Sequence, residues 1–120
     1  MIRVISGHLK GRKLANINSD ILRPTKAVVR KSMFDILGSL DGFNVLDLYS
    51  GVGTLGIESL SRGANSIISV EKDRYTYQML QKNLEKICSN DKMKSYNMDV
   101  VQFLKFNQNK FDLIIADPPY

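Results

Sequence analysis

Residues 45–56 read Val-Leu-Asp-Leu-Tyr-Ser-Gly-Val-Gly-Thr-Leu-Gly, and this run gives the strongest indication of architecture in the chain. Its first part, residues 45–49, is short and nearly continuous in apolar residues, as is typical of a buried parallel strand. Its second part, residues 51–56, matches G-x-G-x-x-G, in which glycine lets the backbone turn tightly and approach a ligand. A helical pattern follows over residues 54–62. The run therefore predicts a ligand-binding turn between a strand and a helix.

The same alternation of strand and helix continues toward the C-terminus. Buried strands are predicted at residues 67–71 and 111–116, with a weaker strand at 94–97. The helices between them are predicted at residues 74–88 and 100–106. This order indicates a doubly wound α/β sheet, in which ligands bind beyond the carboxyl ends of the strands. Every motif that suggests chemistry in this chain follows such a strand end.

The N-terminal third has a different pattern. Residues 2–5 and 12–15 predict a hairpin, because two short strands flank a turn that contains two glycines. A loop then leads to a helix for which Thr25 is a candidate cap. The predicted apolar stripe of that helix consists of Val29, Met33, Ile36, Leu37 and Leu40. We divide the chain into a hairpin-and-helix segment, residues 1–42, and a sheet core, residues 43–120, within one compact domain.

Asp47 suggests which cofactor the glycine loop binds. A glycine loop of this kind suits a nicotinamide dinucleotide or S-adenosylmethionine. Asp47 lies inside the first strand of the core, and a buried carboxylate is costly unless it is paired. A cationic ligand or its water network would supply the pairing, which favours S-adenosylmethionine. The alternative is that Asp47 caps amides of the loop.

Two further carboxylates follow predicted strands. Glu71 ends the strand after the glycine loop, at the distance from Gly51 where an acidic side chain can accept hydrogen bonds from ribose hydroxyls. Its alternative is an exposed carboxylate at a strand end. Asp99 would bind the amino group of adenine or cap the helix that begins at Val100, and the sequence does not separate these roles.

Asp117-Pro118-Pro119-Tyr120 is the most specific motif in the chain. Two prolines fix the backbone and remove two N–H donors, so the loop presents mainly acceptors. The Asp117 carboxylate and the Pro118 carbonyl can orient an exocyclic amine of a nucleic-acid base for attack on a methyl group. Tyr120 offers a ring on which a flipped base can stack. The alternative is a rigid turn without chemistry.

Charge is distributed unevenly along the chain. The net charge is +5, and residues 1–40 hold eight basic and only two acidic side chains. Such a basic segment predicts contact with phosphate backbones, although a solvated basic surface without a partner fits the charge equally well.

Composition excludes several classes of protein. The chain has one cysteine, Cys88, and one histidine, His8, so it cannot form an internal disulfide or a zinc cluster of Cys and His. We expect Cys88 to be a small core residue and expect no metal. No apolar run reaches the roughly 20 residues that span a bilayer, and no secretory signal is present. We therefore expect a cytoplasmic protein.

The combination of motifs resembles the RsmD-type 16S ribosomal RNA guanine-N2 methyltransferases over nearly the whole chain. The residues that carry the resemblance are Arg3-Val4-Ile5-Ser6-Gly7, Lys10-Gly11-Arg12-Lys13-Leu14, Arg23-Pro24-Thr25, the helix through Arg30 and Phe34, residues 55–64, Val70-Glu71-Lys72-Asp73 and residues 117–120. Lys26, Ala27 and Val52 depart from the residues usual in that family, which affects fine contacts rather than the class.

The resemblance implies a Rossmann-like class I S-adenosylmethionine-dependent methyltransferase sheet that forms N2-methylguanine in small-subunit ribosomal RNA. The implied cofactor contacts are Arg23, Thr25, Asp47, Tyr49, Gly51, Gly53, Glu71, Lys72, Asp99 and Val100. The implied catalytic residues are Asp117, Pro118, Pro119 and Tyr120. The implied contacts to 16S ribosomal RNA, or to the assembling small subunit, are Arg3, Lys10, Arg12, Lys13 and Arg30.

The sequence ends at Tyr120, directly after the predicted catalytic motif, whereas members of that family continue with further helices and strands. We expect a fragment or a truncated gene product, with a sheet truncated after its fourth strand. If the chain is complete, we expect it to be poorly active or to need a partner, and otherwise to be a monomer. Three other functions remain open: a DNA adenine or other amino-methyltransferase, a nicotinamide-dependent oxidoreductase, and an inactive remnant that only binds RNA.

Overall fold

The predicted strands and helices are present in the computed structural model, which describes residues 2–16, 25–87 and 92–118. In chain order the elements are β1 (Ile2–Arg3), β2 (Lys13–Leu14), α1 (Ala27–Leu37), β3 (Asn44–Leu48), α2 (Thr54–Ser61), β4 (Ser66–Glu71), α3 (Arg74–Ile87), β5 (Met93–Asn97), α4 (Val100–Phe106) and β6 (Leu113–Ala116). Across the same three ranges, no helix is both long enough and apolar enough to span a bilayer. Cys88 lies outside the described residues.

Four parallel strands form the main sheet of the described part, in the order β5-β4-β3-β6. From β3 the chain moves outward through β4 to β5, then returns to the other side of β3 to form β6. The strand order therefore reverses between β3 and β6, and the crevice outside the carboxyl ends at such a point is where ligands bind in open α/β sheets. This arrangement confirms the predicted doubly wound sheet and brings the ends of β3 and β6 together.

Each face of the sheet packs against helices. One core cluster contains Val45 of β3 and Ile67 of β4, and it includes α2, α3 and the inner side of the hairpin. The second cluster contains Leu46, Ile68 and Phe103 of α4. Adjacent strand residues alternate between these clusters because side chains of a strand point to opposite faces in turn. Both faces of β3 and β4 are covered, which explains their continuous apolar sequence.

The predicted apolar stripe of α1 is wrong in part. Val29, Ile36 and Leu37 are exposed by 51%, 85% and 39%, whereas Arg30 and Phe34 are buried. Phe34 packs in the core, with the Arg62 guanidinium 5.1 Å from its ring centre. The buried side of α1 is therefore defined by an ion pair and one aromatic ring rather than by the apolar period.

The hairpin formed by β1 and β2 is anchored on α2. Glu58 of α2 is fully buried, and its carboxylate accepts hydrogen bonds from the backbone amides of Ile5 (2.8 Å) and Ser6 (3.1 Å). Ser61, at the end of the same helix, accepts from the amide of Leu9 through its hydroxyl (3.0 Å). These contacts fix the turn side of the hairpin to the helix that begins at the glycine loop.

Candidate active site

The glycine loop makes a tight turn after β3. Tyr49 has a φ of 56°, Gly51 of 60° and Gly53 of 99°. A Cβ on Gly51 would meet no atom within 4 Å, so the backbone there faces open space. A Cβ on Gly53 would lie 2.8 Å from a methyl group of Leu80, so this glycine is also needed for packing against α3. The loop thus leaves room for a ligand at Gly51.

Asp47 is buried beneath this loop, with 1% of its surface exposed. Its Oδ2 accepts a hydrogen bond from the amide of Gly56 (3.1 Å), which is the capping role given as its alternative. Burial raises the pKa of Asp47 to about 7; the Gly56 hydrogen bond opposes the shift, and the negative charges of Asp117 and Glu71 add to it. A cation that enters this group of carboxylates would stabilise the ionised form of Asp47.

Glu71 lies across the tip of the glycine loop. Its Oε1 accepts from the amide of Gly51 (2.9 Å), and its Oε2 accepts from the amide of Asp73 (2.8 Å). The amide group of Asn97 donates to the backbone carbonyls of Glu71 and Lys72 at 2.9 Å each. The acidic residue that was singled out by its sequence distance from Gly51 is thus hydrogen-bonded to the glycine loop. Glu71 is therefore not simply an exposed carboxylate at a strand end, because both of its side-chain oxygens accept hydrogen bonds from the backbone.

Asp99 caps α4. Its Oδ2 accepts from the amide of Val101 at 3.1 Å, as its alternative role required. Val100 is the first residue of α4 and its side chain packs in the core, so only the backbone of this residue is available to a ligand. The proposed adenine contact of Asp99 stays a prediction.

Asp117 follows β6 and lies beside the loop after β3, because β6 and β3 pair with Leu48 opposite Ala116. Thr25 Oγ1 donates to Asp117 Oδ2 at 2.5 Å. Thr25 does not cap α1: the cap position is Lys26, and it makes no side-chain hydrogen bond. Three predicted site residues, Arg23, Pro119 and Tyr120, lie outside the described residues.

Four of the five predicted RNA contacts are exposed on the hairpin: Arg3, Lys10, Arg12 and Lys13. The prediction for Arg30 is wrong. Arg30 is 4% exposed, its guanidinium lies 3.7 Å from the Glu58 carboxylate, and it donates to the carbonyl of Arg3. Because burial and this ion pair occupy the side chain, Arg30 joins α1 to α2 and does not reach a phosphate.

Two polar residues that the sequence reasoning missed connect the hairpin to the sheet core. Glu58 binds the hairpin, as described above. Asn83 of α3, 1% exposed, exchanges two 2.9 Å hydrogen bonds with the backbone of Ala15 and donates to the carbonyl of Val52 in the glycine loop at 2.8 Å. A signal was present in the sequence, since Asn83 lies three residues after Leu80 and four before Ile87, the spacing that places all three on the buried side of α3.

A cavity of about 290 Å³ lies at the opposite edge of the sheet, at the amino ends of the strands, and its lining includes Asn44, Ser66, Lys94 and Lys110. It is separate from the glycine loop and from Asp117. No group of three or more His, Cys, Asp or Glu side chains in the described ranges is placed to hold a metal ion.

Comparison with known proteins identifies the family to which this arrangement belongs. The sequence profile of the family described as conserved hypothetical protein 95 matches residues 2–120. The chain belongs to the conserved hypothetical protein 95 family. It is 37% identical to ribosomal RNA small subunit methyltransferase D of Haemophilus influenzae, over 99% of this chain and 64% of that protein. It is also 37% identical to the putative rRNA methyltransferase YlbH of Bacillus subtilis, over 99% of this chain and 67% of that protein.

Solved structures in this family share the fold. The putative methyltransferase yhhF of Escherichia coli matches with a TM-score of 0.88 and 35% identity, over 99% of this chain and 65% of that one. The resemblance to RsmD-type methyltransferases and the class I methyltransferase fold are thereby confirmed. The chain spans a little less than two thirds of the length of the Haemophilus and Escherichia coli proteins.

Proposed function

We propose that this protein transfers a methyl group from S-adenosylmethionine to the exocyclic N2 amine of a guanine in 16S ribosomal RNA. The observation that carries the proposal is that Glu71 and Asp47 both accept hydrogen bonds from the glycine loop, with Asp117 following the neighbouring strand, at the point where the strand order reverses. The names of the Haemophilus and Bacillus relatives support a ribosomal RNA substrate. We also propose a cytoplasmic location and, for a complete chain, a monomer.

The residues around the loop fit S-adenosylmethionine. This cofactor supplies a methyl group attached to a positively charged sulfur. Asp47, Glu71 and Asp117 place negative charge where such a cation is stabilised, and Gly51 leaves the loop backbone accessible. In this proposal Glu71 accepts hydrogen bonds from the ribose. The further contacts are made by Tyr49, Gly53, Lys72, Asp99, Val100 and Arg23.

Asp117 orients the target amine in this mechanism. Its carboxylate and the carbonyl of Pro118 accept the two N–H groups of the amine, which directs the nitrogen lone pair toward the methyl group. A carboxylate held at this position also stabilises the positive charge that develops on the attacking nitrogen. Tyr120 stacks on the guanine, and the exposed basic residues of the hairpin bind the RNA backbone.

The test is transfer of labelled methyl from S-adenosylmethionine to small ribosomal subunits that lack the modification. We expect Asp117→Ala to abolish transfer. Asp112→Asn is the matched control: Asp112 lies before the other end of β6, accepts from the amide of Asn44, and should leave transfer unchanged. Mass spectrometry then maps the methylated atom.

Two of the alternative functions each have their own outcome in this experiment. Methylation of an adenine N6 would replace the proposed substrate with that of an adenine methyltransferase. RNA binding without transfer would identify an inactive remnant. Transfer that Asp117→Ala does not reduce would refute the proposed role of the Asp-Pro-Pro-Tyr loop.

A further inference from the structure

The hydrogen bond between Thr25 and Asp117 joins two segments that are 92 residues apart in sequence. Thr25 immediately precedes the cap residue of α1, and Asp117 immediately follows β6. A threonine next to a helix start commonly donates or accepts within its own helix. Here its hydroxyl is directed away from α1, at the carboxylate of the proposed catalytic loop.

Both partners are held by their own elements. Arg30 lies one turn into α1, and its amide donates to the carbonyl of Lys26 at 3.0 Å while its side chain contacts buried Glu58. The beginning of α1 is therefore fixed relative to α2. Ala116, directly before Asp117, is fixed by the pairing of β6 with β3. The contact thus joins two anchored chain segments.

The chemistry of the contact suits a carboxylate that must also bind an amine. A carboxylate has about four acceptor sites on its two oxygens. Thr25 uses one site on Oδ2, and among the described residues nothing binds Oδ1, which can therefore accept from an N–H group of the substrate. The backbone around Asp117 is restricted by the prolines that follow, but its side-chain torsions are not. A donor of fixed position restricts those torsions, and threonine is suited to this role because β-branching stiffens its own χ1 torsion.

We propose that Thr25 is a positioning residue that orients Asp117 toward the target amine, in place of the direct cofactor contact that the family resemblance implies for it. This inference rests on the proposed function of Asp117. In this role the N-terminal segment contributes to the catalytic geometry as well as to RNA binding.

The experiment compares Thr25→Val, which keeps the shape but removes the hydroxyl, with Thr25→Ser, which keeps the hydroxyl. In the methyl-transfer assay we expect Thr25→Val to lower kcat about tenfold, the size of effect that a hydrogen bond to a charged group supports. We expect the KM for the ribosomal subunit and the Kd for S-adenosylmethionine to change less than about twofold. Thr25→Ser should restore most of kcat. In an Asp117→Ala background, which lacks the acceptor oxygens, Thr25→Val should cause no further loss of stability to urea.

Three results would overturn the inference. A Thr25→Val enzyme with the wild-type kcat would show that the hydroxyl does not matter. A loss of cofactor affinity that matches the loss of rate would make Thr25 a cofactor contact. A full further loss of stability in the Asp117→Ala background would show that Thr25 acts through another group.

If the wild-type chain transfers no methyl, the proposed function fails separately, and a double-mutant cycle on unfolding still tests the contact. Thr25→Val and Asp117→Ala should then be non-additive, by at least about threefold in the unfolding equilibrium constant. Additive effects would overturn the positioning role even in that case.

Discussion

The carboxyl group of Asp47 titrates close to neutral pH. Its pKa is raised to about 7 by burial, from an ordinary value of 3.8. The folded protein therefore keeps a proton that the unfolded chain releases between about pH 4 and 7, and stability falls as pH rises through this window. Above pH 7 the stabilising contribution of the protonated Asp47 is lost completely.

We predict that Asp47→Asn removes this pH dependence. The free energy of unfolding of the variant relative to the wild type should increase from pH 4 to pH 7.5, by at most about 4 kcal/mol for a shift of this size. Urea unfolding at several pH values measures it, and other carboxylates cancel in the difference. Parallel curves for the two proteins would show that Asp47 titrates normally.

Single residues also show where sequence reasoning succeeds and fails. The spacing of Glu71 from Gly51 predicted their proximity, because strand and turn lengths in this fold are nearly constant. The burial of Arg30 was not predictable from residue type, since an arginine in a basic segment normally faces solvent. Its partner Glu58 belongs to a different helix, and only the packing of α1 on α2 brings the two together.

At the scale of elements, Gly7 and Gly11 form a matched pair for testing how the hairpin docks on α2. Both have nearly the same φ, 87° and 85°. A Cβ on Gly7 would lie 1.8 Å from the carbonyl oxygen of Ser61, whereas a Cβ on Gly11 would meet nothing within 4 Å. The two positions share the backbone strain of an L residue and differ in the contact with the helix.

We predict that Gly11→Ala lowers the free energy of unfolding by about 1 kcal/mol, the cost of a left-handed backbone. Gly7→Ala should cost about 3 kcal/mol, because the hairpin must also move away from Ser61 and lose hydrogen bonds to α2. Urea unfolding gives the stabilities, and hydrogen exchange at the amides of Ile5 and Leu9 reports the detachment. Equal losses for the two variants would mean that the hairpin does not need this close approach.

The helix α1 shows the limit of periodicity as a guide to packing. Its position and approximate length follow from the sequence, but its orientation does not. An apolar period assigns the core side on the assumption that the apolar face is buried. In α1 a buried ion pair and Phe34 determine which side of the helix faces the core. Nothing in the neighbouring sequence indicates that the apolar residues on the other side are exposed.

For the whole molecule, the class of fold was predictable and the connection between its parts was not. Alternating strands and helices with buried β3 and β4 are sufficient for a doubly wound sheet. The anchoring of the hairpin depends on Glu58 and Asn83, two polar side chains inside helices whose partners are backbone groups far away in sequence. Sequence periodicity contains no information on such distant partners.

We predict that the exposed hairpin provides the electrostatic part of RNA binding. Lys10→Ala with Arg12→Ala should weaken binding of small-subunit RNA, and the slope of log affinity against log salt should become shallower by about 1.5 to 2. Lys94→Ala with Lys110→Ala removes the same charge at the opposite edge of the sheet and should leave the slope unchanged. Fluorescence anisotropy at several salt concentrations measures both, and equal effects of the two pairs would assign the binding to net charge alone.

The buried carboxylate of Glu58 also determines when the start of the chain can fold during synthesis. The amide of Ile5 has its hydrogen-bond acceptor only after Glu58, 53 residues later in the chain, has been synthesised. At about 5–20 residues per second, that interval is on the order of 3–10 s. During translation the hairpin therefore remains without its anchor on α2 for this interval, so it leaves the ribosome before it can take its final position.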